Sequence, residues 1–363
     1  MRNWRKDSRT TLSIAPVLIC FFVIASRFIR NGTYFGLDFN LYQPDGRYYT
    51  WLTYKFLQKT DTEAWDLATH FYSNLHLISN HYANTISPVK DLALRHDIQF
   101  RPLYPFLSVP FVALFGAKGM LVVPSVSYLL CSYLSYNYLK LNKQRILGVF
   151  GLAILAASPF LARGFITNYT DSLLALIVLT VFLQFKRNSH IFWLVAFLSF
   201  LGEITRPSEP IWLLFSIYFF WSSRKKRFLI LGLIHVAIFC SAFLVNPDSV
   251  GASSRGGVTV MHRVLFETPN VLKILIIDNG ELIVLDKVLL LLFLGFIILS
   301  VQQGLKIPSI NIVFGLLAIT VAMAAWNGGV GTGWRYEIPC VFPMYIVVIE
   351  VLATRINFRN EKT

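Results

Sequence analysis

The stretch Leu103-Tyr-Pro-Phe-Leu-Ser-Val-Pro-Phe-Val-Ala-Leu-Phe115 decides how the chain is laid out on either side of it. It is almost wholly apolar, but it has only 13 residues and contains Pro105 and Pro110. A helix needs roughly 20 apolar residues to cross a bilayer. If this short segment crosses, every later loop changes sides, so its placement fixes the topology.

The rest of the chain is hydrophobic enough for a membrane protein. Of its 363 residues, 55% are hydrophobic and 14% are charged, against about 25% charged in soluble domains. We expect an all-α polytopic membrane protein with about ten transmembrane helices, folded as a single transmembrane domain over residues 1–363. The long hydrophobic segments are 12–29, 119–138, 146–162, 171–186, 190–204, 208–222, 227–245, 286–303, 309–325 and 338–353.

The basic residues favour placing 103–115 at the outer surface, as an interfacial or re-entrant helix. With a cytoplasmic N-terminus, and with 12–29 as an uncleaved anchor, every compact basic cluster then lies in the cytoplasm, as the positive-inside rule requires. The net charge of +14 reflects this bias and anionic lipid headgroups, not a nucleic-acid partner. The clusters lie in 1–11, 139–145, 186–189, 223–227, 304–307 and the C-terminal tail.

In this topology most acidic residues lie on the outer side of the membrane. Of 19 acidic residues, only Asp7, Glu350 and Glu361 fall on the cytoplasmic side. The others lie in outer loops or at outer helix ends. The two largest outer loops are 30–102, which we expect to carry juxtamembrane helices, and 246–285. The polar chemistry is therefore predicted to lie outside the cytoplasmic membrane.

The first outer loop opens with Tyr42-Gln-Pro-Asp-Gly-Arg-Tyr-Tyr-Thr50. Asp45 on this turn, or Asp38 seven residues earlier, could act as a general base beside the membrane. The alternative is an ordinary Pro-Asp-Gly turn. An amphipathic surface helix is predicted from Tyr48 to Leu57, and a second from Glu63 to Ser79.

Two further polar groups lie at predicted outer helix ends. Thr170 or Asp171 can cap the helix that starts there, or Asp171 can bind a substrate hydroxyl. In Glu203-Ile-Thr-Arg-Pro-Ser-Glu209, Arg206 needs a partner. That partner is either a neighbouring carboxylate, Glu203 or Glu209, or a phosphate, which suits the guanidinium fork.

A glycine-rich stretch, Trp326-Asn-Gly-Gly-Val-Gly-Thr-Gly-Trp-Arg335, precedes the last hydrophobic segment. Its glycines let the backbone approach a ligand, and Arg335 can bind an anion or pair with Glu337. The histidines of the first loop lack metal-ligand spacing, and we expect no metal site there. No nucleotide-binding fingerprint is present in the sequence.

The order of several short motifs resembles the GT-C-fold glycosyltransferases that use polyprenyl-phosphate sugars. Within that class it is similar to the bacterial relatives of the GPI mannosyltransferases and the protein mannosyltransferase-like group. The resemblance covers roughly residues 10–345, although each motif is short. After the acid of the first outer loop, the motifs are Arg101-Pro-Leu-Tyr-Pro105, Ser158-Pro159, Tyr169-Thr-Asp-Ser-Leu-Leu174, Thr205-Arg-Pro207 and Arg335-Tyr-Glu-Ile-Pro339.

The resemblance implies an inverting transfer on the outer face of the cytoplasmic membrane, from a polyprenyl-phosphate sugar to a glycan, lipid or protein acceptor. It implies Asp45, or else Asp38, as the base that takes the acceptor proton. Arg206 and Arg335 would stabilise the leaving phosphate, and Asp171 would bind sugar or acceptor. Glu203, Tyr49 and Arg101 complete the substrate-binding candidates. Some members use a divalent metal and others do not, and the sequence leaves both open.

Three other functions are compatible with the sequence. A secondary transporter should bury ionisable groups or broken helices near the membrane midplane. A lipid-linked glycan polymerase or ligase would use the same face and the same lipid phosphate. A catalytically inactive scaffold would share the fold alone.

Overall fold

The structure is a computed structural model. It describes residues 33–34, 37–38, 46–74, 87–89, 95, 98–142, 144–158, 161, 167, 169–187, 191–206, 208–245, 286–303, 307–327 and 337–360. Apart from one antiparallel pairing between β1 (Thr33–Tyr34) and β2 (Leu37–Asp38), these residues form helices. The all-helical class is therefore as predicted.

The helix bounds follow the hydrophobic segments closely. Two helices come first, a third covers the short segment 103–115, and nine later helices correspond to the nine hydrophobic segments after 12–29, which lies outside the described residues. The helices are α1 (Gly46–Phe56), α2 (Asp61–Asn74), α3 (Leu103–Phe115), α4 (Val122–Leu141), α5 (Arg145–Ala156), α6 (Asp171–Lys186), α7 (Phe192–Glu203), α8 (Glu209–Ser223), α9 (Lys226–Val245), α10 (Lys287–Gln303), α11 (Pro308–Asn327) and α12 (Ile338–Asn360).

Two helical stretches are long and apolar enough to cross a membrane, Leu103–Leu141 and Ile338–Arg355. Among the described residues, the apolar helical stretches Ile146–Ala156, Phe192–Glu203, Lys287–Gln303 and Pro308–Met323 are shorter. For example, α7 has 12 residues and is therefore about 18 Å long, less than the roughly 30 Å of a hydrocarbon core. By length and composition the structure thus supports two spans, fewer than the about ten that the sequence predicts.

The first of these stretches is not straight, because the chain turns back between α3 and α4. Gly116 has a φ of +60°, a conformation that glycine adopts readily, and a 3-10 helix (Gly116–Leu121) follows it. The Tyr104 hydroxyl donates to the Met120 carbonyl oxygen at 2.8 Å. In a straight α-helix these residues would be about 24 Å apart. The chain therefore folds back along α3, so that Gly119 lies beside Phe111 and Val112.

Helix α6 is the centre of the bundle. It begins with Asp171 and ends with Lys186, so its terminal charges suit the helix dipole. Nearly every residue between them is apolar, and helices α4, α7 and α12 pack around it. A separate small core joins α1 to α2 through Trp51 and Trp65. The apolar stripe predicted for α1 thus largely contacts other helices.

Helix ends that the sequence places in the cytoplasm lie together. The Lys186 ammonium group donates to Glu350 Oε2 at 2.7 Å and to the Ser309 hydroxyl at 3.3 Å. The Tyr138 hydroxyl donates to Glu350 Oε1 at 2.9 Å. These residues come from the C-terminal parts of α4, α6 and α12 and from the start of α11. One polar network therefore ties four helices at the predicted inner end.

The close return at Gly119 generates a prediction. A Cβ atom at Gly119 would overlap the backbone of Phe111 and lie 2.6 Å from Val112 N, whereas a Cβ at Gly295 in α10 would meet nothing within 4 Å. We expect Gly119→Ala to destabilise the protein by about 1–3 kcal/mol. The matched Gly295→Ala should be neutral or slightly stabilising. Melting temperatures of the detergent-purified variants compare the two, and equal values would contradict the hairpin.

Candidate functional site at the predicted outer end

A buried ion pair joins two segments that are distant in sequence. Asp171, in the first turn of α6, accepts a hydrogen bond through Oδ1 from Nη1 of Arg206, which follows α7. Their side chains are 2% and 6% exposed, respectively. A charge removed from water needs a partner, and removing one member of such a pair leaves the other uncompensated. The pair therefore fixes the loop after α7 against the start of α6.

The loop at 204–208 is shaped by its own polar contacts. Glu203 Oε2 accepts a hydrogen bond from the Ser208 backbone N–H at 3.2 Å. The Ser208 hydroxyl donates to the Arg206 carbonyl oxygen at 2.9 Å and accepts from the Trp212 indole N–H at 2.8 Å. Thr205 donates to the Leu201 carbonyl oxygen. These bonds hold the backbone of Arg206 in one position.

The same end of the bundle contacts the juxtamembrane helices. The Leu103 backbone N–H donates to the Ile204 carbonyl oxygen at 3.2 Å, which joins the start of α3 to the end of α7. Arg101 Nη1 donates to the Tyr49 hydroxyl at 3.4 Å. The Tyr49 and Tyr104 rings meet edge to face at 5.5 Å. The outer-loop helices are thus linked directly to the segment that carries Arg206.

A buried guanidinium lies in α1 itself. Arg47 is 1% exposed, and its Cζ lies 4.8 Å from the centre of the Tyr48 ring and 5.3 Å from that of Trp65. The two rings are stacked with their centroids 5.8 Å apart. Cation–π contact stabilises a desolvated guanidinium. Arg47 therefore helps to hold α1 against α2.

The structure brings several predicted site residues to one end and leaves others undescribed. Asp171, Arg206 and Glu203 surround one loop, and Tyr49 and Arg101 lie on the helices joined to it. Tyr49 is buried. Asp45, Arg335 and the loop 246–285 lie outside the described residues. The backbone of Asp38 pairs with Thr33 in the short β pairing.

Two local expectations need correction. Arg206 pairs with Asp171, 35 positions away in the sequence, a partner that the sequence analysis did not consider. Thr170 stands at the N-cap of α6 but makes no capping side-chain hydrogen bond. The predicted helix at 63–79 starts at Asp61. It is described as far as Asn74, and 75–86 lies outside the described residues.

Sequence reasoning missed two buried polar residues. His235 lies near the middle of α9, and a histidine inside an apolar segment is a recognised signal for function. Asp286 accepts a hydrogen bond from Ser158 Oγ at 2.5 Å, and its other oxygen caps α10 through the Leu289 N–H at 2.9 Å. An acid directly before an apolar run is the usual capping signal.

Among the residues that the structure describes, no group of three or more histidine, cysteine or acidic side chains is arranged to hold a metal ion. The four loop histidines stand apart in the sequence, and His76, His81 and His96 lie outside the described ranges. On the surface of α2, His70 Nε2 and Asn74 Nδ2 are hydrogen-bonded at 3.0 Å.

No protein-family model matches this chain, and no curated protein and no solved structure is significantly similar to it.

A half-buried ion-pair cluster closes the α1–α2 turn. Asp61 contacts Lys55 Nζ through Oδ1 and Arg95 Nη2 through Oδ2, each at 2.7 Å. The Lys55 hydrogen bond, aided by the charge of Arg95, holds the pKa of Asp61 below its usual value. The Trp51 indole N–H also donates to the Asp61 carbonyl oxygen at 3.3 Å.

This cluster predicts a pH dependence of stability. Because the folded-state pKa of Asp61 is lowered, its stabilising effect is present above the unfolded pKa of about 3.9 and is lost as pH falls through the folded value. Asp61→Asn should lower the melting temperature at pH 7 and weaken its dependence on acid pH. The control is Asp66→Asn, an exposed carboxylate on the same helix, for which we expect the wild-type profile. Identical profiles for all three proteins would contradict the assignment.

Proposed function

We propose that this chain is a multi-pass protein of the cytoplasmic membrane with about ten transmembrane helices and a cytoplasmic N-terminus. The exposed faces of its helices support this. On α5, Ile146, Phe150 and Ile154 are 75%, 69% and 54% exposed and follow one another at helical spacing. On α10, Leu291, Leu294, Ile298 and Val301 form a similar exposed stripe. Apolar faces of this extent suit lipid and are rare on soluble monomers.

The polar networks support the same proposal. Lys186 and Glu350 join helix ends on the predicted cytoplasmic side, whereas Asp171, Arg206 and Asp286 lie at helix ends of the opposite side. An antiparallel bundle with short turns requires successive helix ends to alternate in this way.

We propose further that the protein is a glycosyltransferase that moves a sugar from a polyprenyl-phosphate donor to a glycan, lipid or protein acceptor on the outer face, with inversion. One observation carries this proposal. The buried Asp171–Arg206 pair lies at the same end of the bundle as the juxtamembrane helices α1 and α3. A carboxylate and a guanidinium thus meet beside helices suited to a lipid-linked substrate, in the motif order that resembles the GT-C group.

The chemistry assigns a role to each group. The acceptor oxygen attacks the anomeric carbon, the bond from that carbon to the phosphate oxygen breaks, and the acceptor proton passes to a carboxylate, Asp45 by preference or Asp38. The leaving lipid phosphate keeps the electron pair and gains negative charge. Arg206 stabilises that charge with its fixed donors, together with Arg335. Asp171 holds Arg206 in place and binds a sugar or acceptor hydroxyl.

A specific observation favours the rival class, a secondary transporter. Such proteins place ionisable groups within the bundle, and His235 near the middle of α9 lies 3.2 Å from Glu203. A glycan polymerase or ligase would share the proposed site. The products separate the three: one added sugar for the transferase, a ladder of sizes for the polymerase, and none for the transporter.

The test is sugar transfer from several radiolabelled polyprenyl-phosphate hexoses in membranes that contain the wild type, Asp45→Asn or Asp38→Asn. We expect the wild type to transfer label and Asp45→Asn to be inactive while still folded, because an amide cannot accept the proton. Loss only in Asp38→Asn would move the base to Asp38. Absence of transfer by the wild type with every donor would contradict the glycosyltransferase.

A matched pair of variants addresses Arg206 in the same assay. Arg206→Lys keeps the charge but not the planar fork, whereas Arg206→Gln removes the charge. If Arg206 stabilises the leaving phosphate, Arg206→Gln should lower kcat by about 10²–10³-fold, with a smaller loss for Arg206→Lys. Equal activity of both variants and the wild type would exclude this role.

A further inference from the structure

Three helices enclose a second polar site beneath the loop of Arg206. Glu203 ends α7, and His235 lies in α9, where it is 3% exposed. His235 Nδ1 lies 3.2 Å from Glu203 Oε1, and its Nε2 lies 3.2 Å from the Ser199 hydroxyl oxygen. Both atoms are buried, and among the described residues neither has a hydrogen-bond partner in the observed geometry. They are therefore two unsatisfied polar atoms that lie close together.

The proton positions follow from the direction of the hydrogen bonds. The Ser199 hydroxyl donates its proton to the Ala196 carbonyl oxygen at 2.8 Å. Its oxygen is therefore the acceptor toward His235, and Nε2 of the imidazole carries the hydrogen. A neutral imidazole has a single N–H. In that form, Nδ1 presents a lone pair to Glu203.

A lone pair and a carboxylate oxygen at 3.2 Å repel each other unless a proton lies between them. Two arrangements supply it: an imidazolium with a carboxylate, or a neutral imidazole with a carboxylic acid. Burying two charges has a desolvation penalty that the neutral arrangement avoids. The neutral arrangement also leaves Glu203 Oε2 free to accept from the Ser208 N–H, as observed at 3.2 Å.

We propose that Glu203 and His235 form a proton-binding site, in which the Glu203 carboxylic acid donates to Nδ1 of His235, and that this proton positions the loop of Arg206. The site completes a directed chain of donors from the Ser208 N–H through Glu203, His235 and Ser199 to the Ala196 carbonyl oxygen. This inference goes beyond sugar transfer and does not depend on it.

Other charged groups near the site act in the same sense. Glu209, the first residue of α8, interacts electrostatically with both Glu203 and His235. Two carboxylates in one apolar site repel each other, and a proton on Glu203 removes that repulsion. The charged groups that act on His235 are thus the carboxyl groups of Glu203 and Glu209.

Loss of the proton would be transmitted to Arg206 through a short path. Glu203 Oε2 holds the Ser208 N–H, and the Ser208 hydroxyl holds the Arg206 carbonyl oxygen at 2.9 Å. A carboxylate forced away from Nδ1 would move Ser208 and, with it, the backbone of Arg206. Glu203 and His235 are positioning residues in this scheme.

Infrared spectroscopy of the full-length protein in detergent tests the proton directly. Wild type at pH 7 should show the C=O stretching band of a protonated carboxylic acid, which Glu203→Gln should lose and Glu209→Gln should keep. A band that survives in Glu203→Gln, a band lost only in Glu209→Gln, or no band in the wild type would each overturn the proposal.

Thermal unfolding of the same variants gives a second readout. The amide of Glu203→Gln can donate to Nδ1 and accept from Ser208 N–H, so we expect it to fold with a near-wild-type melting temperature at pH 7. A proton held by the folded state and released on unfolding makes stability fall as pH rises. The wild-type melting temperature should therefore fall more steeply than that of Glu203→Gln between pH 7 and about pH 9. Parallel slopes would contradict a bound proton.

Discussion

A charge buried in an apolar bundle is tolerated only when it is paired, and the pairing of Asp171 with Arg206 meets this requirement at the start of α6. Asp171 belongs to α6, the helix around which the others pack. Arg206 belongs to the loop that touches the start of α3. The pair therefore couples the core of the bundle to the helices α1 and α3 that pack at this end, and the candidate site depends on this contact.

The opposite end of the bundle is organised by the same physics. Lys186, Glu350, Tyr138 and Ser309 satisfy one another between four helices. Between the two ends, α6 is almost wholly apolar. Its contacts there bury apolar surface but do not select which helix lies beside it, because such contacts are not directional. The polar networks at both ends determine which helices are neighbours. The apolar middle stabilises the bundle by burying apolar surface. The Glu203–His235 contact is the exception, since it joins the last residue of α7 to the middle of α9.

The sequence predicted helices far better than it predicted contacts. The bounds of α3 and α6 match the predicted segments residue for residue, because prolines, charges and glycines mark the ends of apolar runs. The partner of Arg206 was sought among its neighbours in sequence, whereas helix packing placed a residue 35 positions away beside it. His235 was overlooked because its partners, Glu203 and Ser199, lie on another helix, and spacing along one helix carries no information about the next.

The central claim is that the two polar ends lie on opposite sides of a membrane, with the candidate site outside. Cysteine labelling in bacterial spheroplasts tests it most directly, with the wild type as the background for the native cysteines. We predict that a membrane-impermeant maleimide labels Asp66→Cys in intact spheroplasts and Lys225→Cys only after permeabilisation. Both positions are exposed. Labelling of Lys225→Cys in intact spheroplasts, or of Asp66→Cys only after permeabilisation, would contradict the topology and the placement of the site.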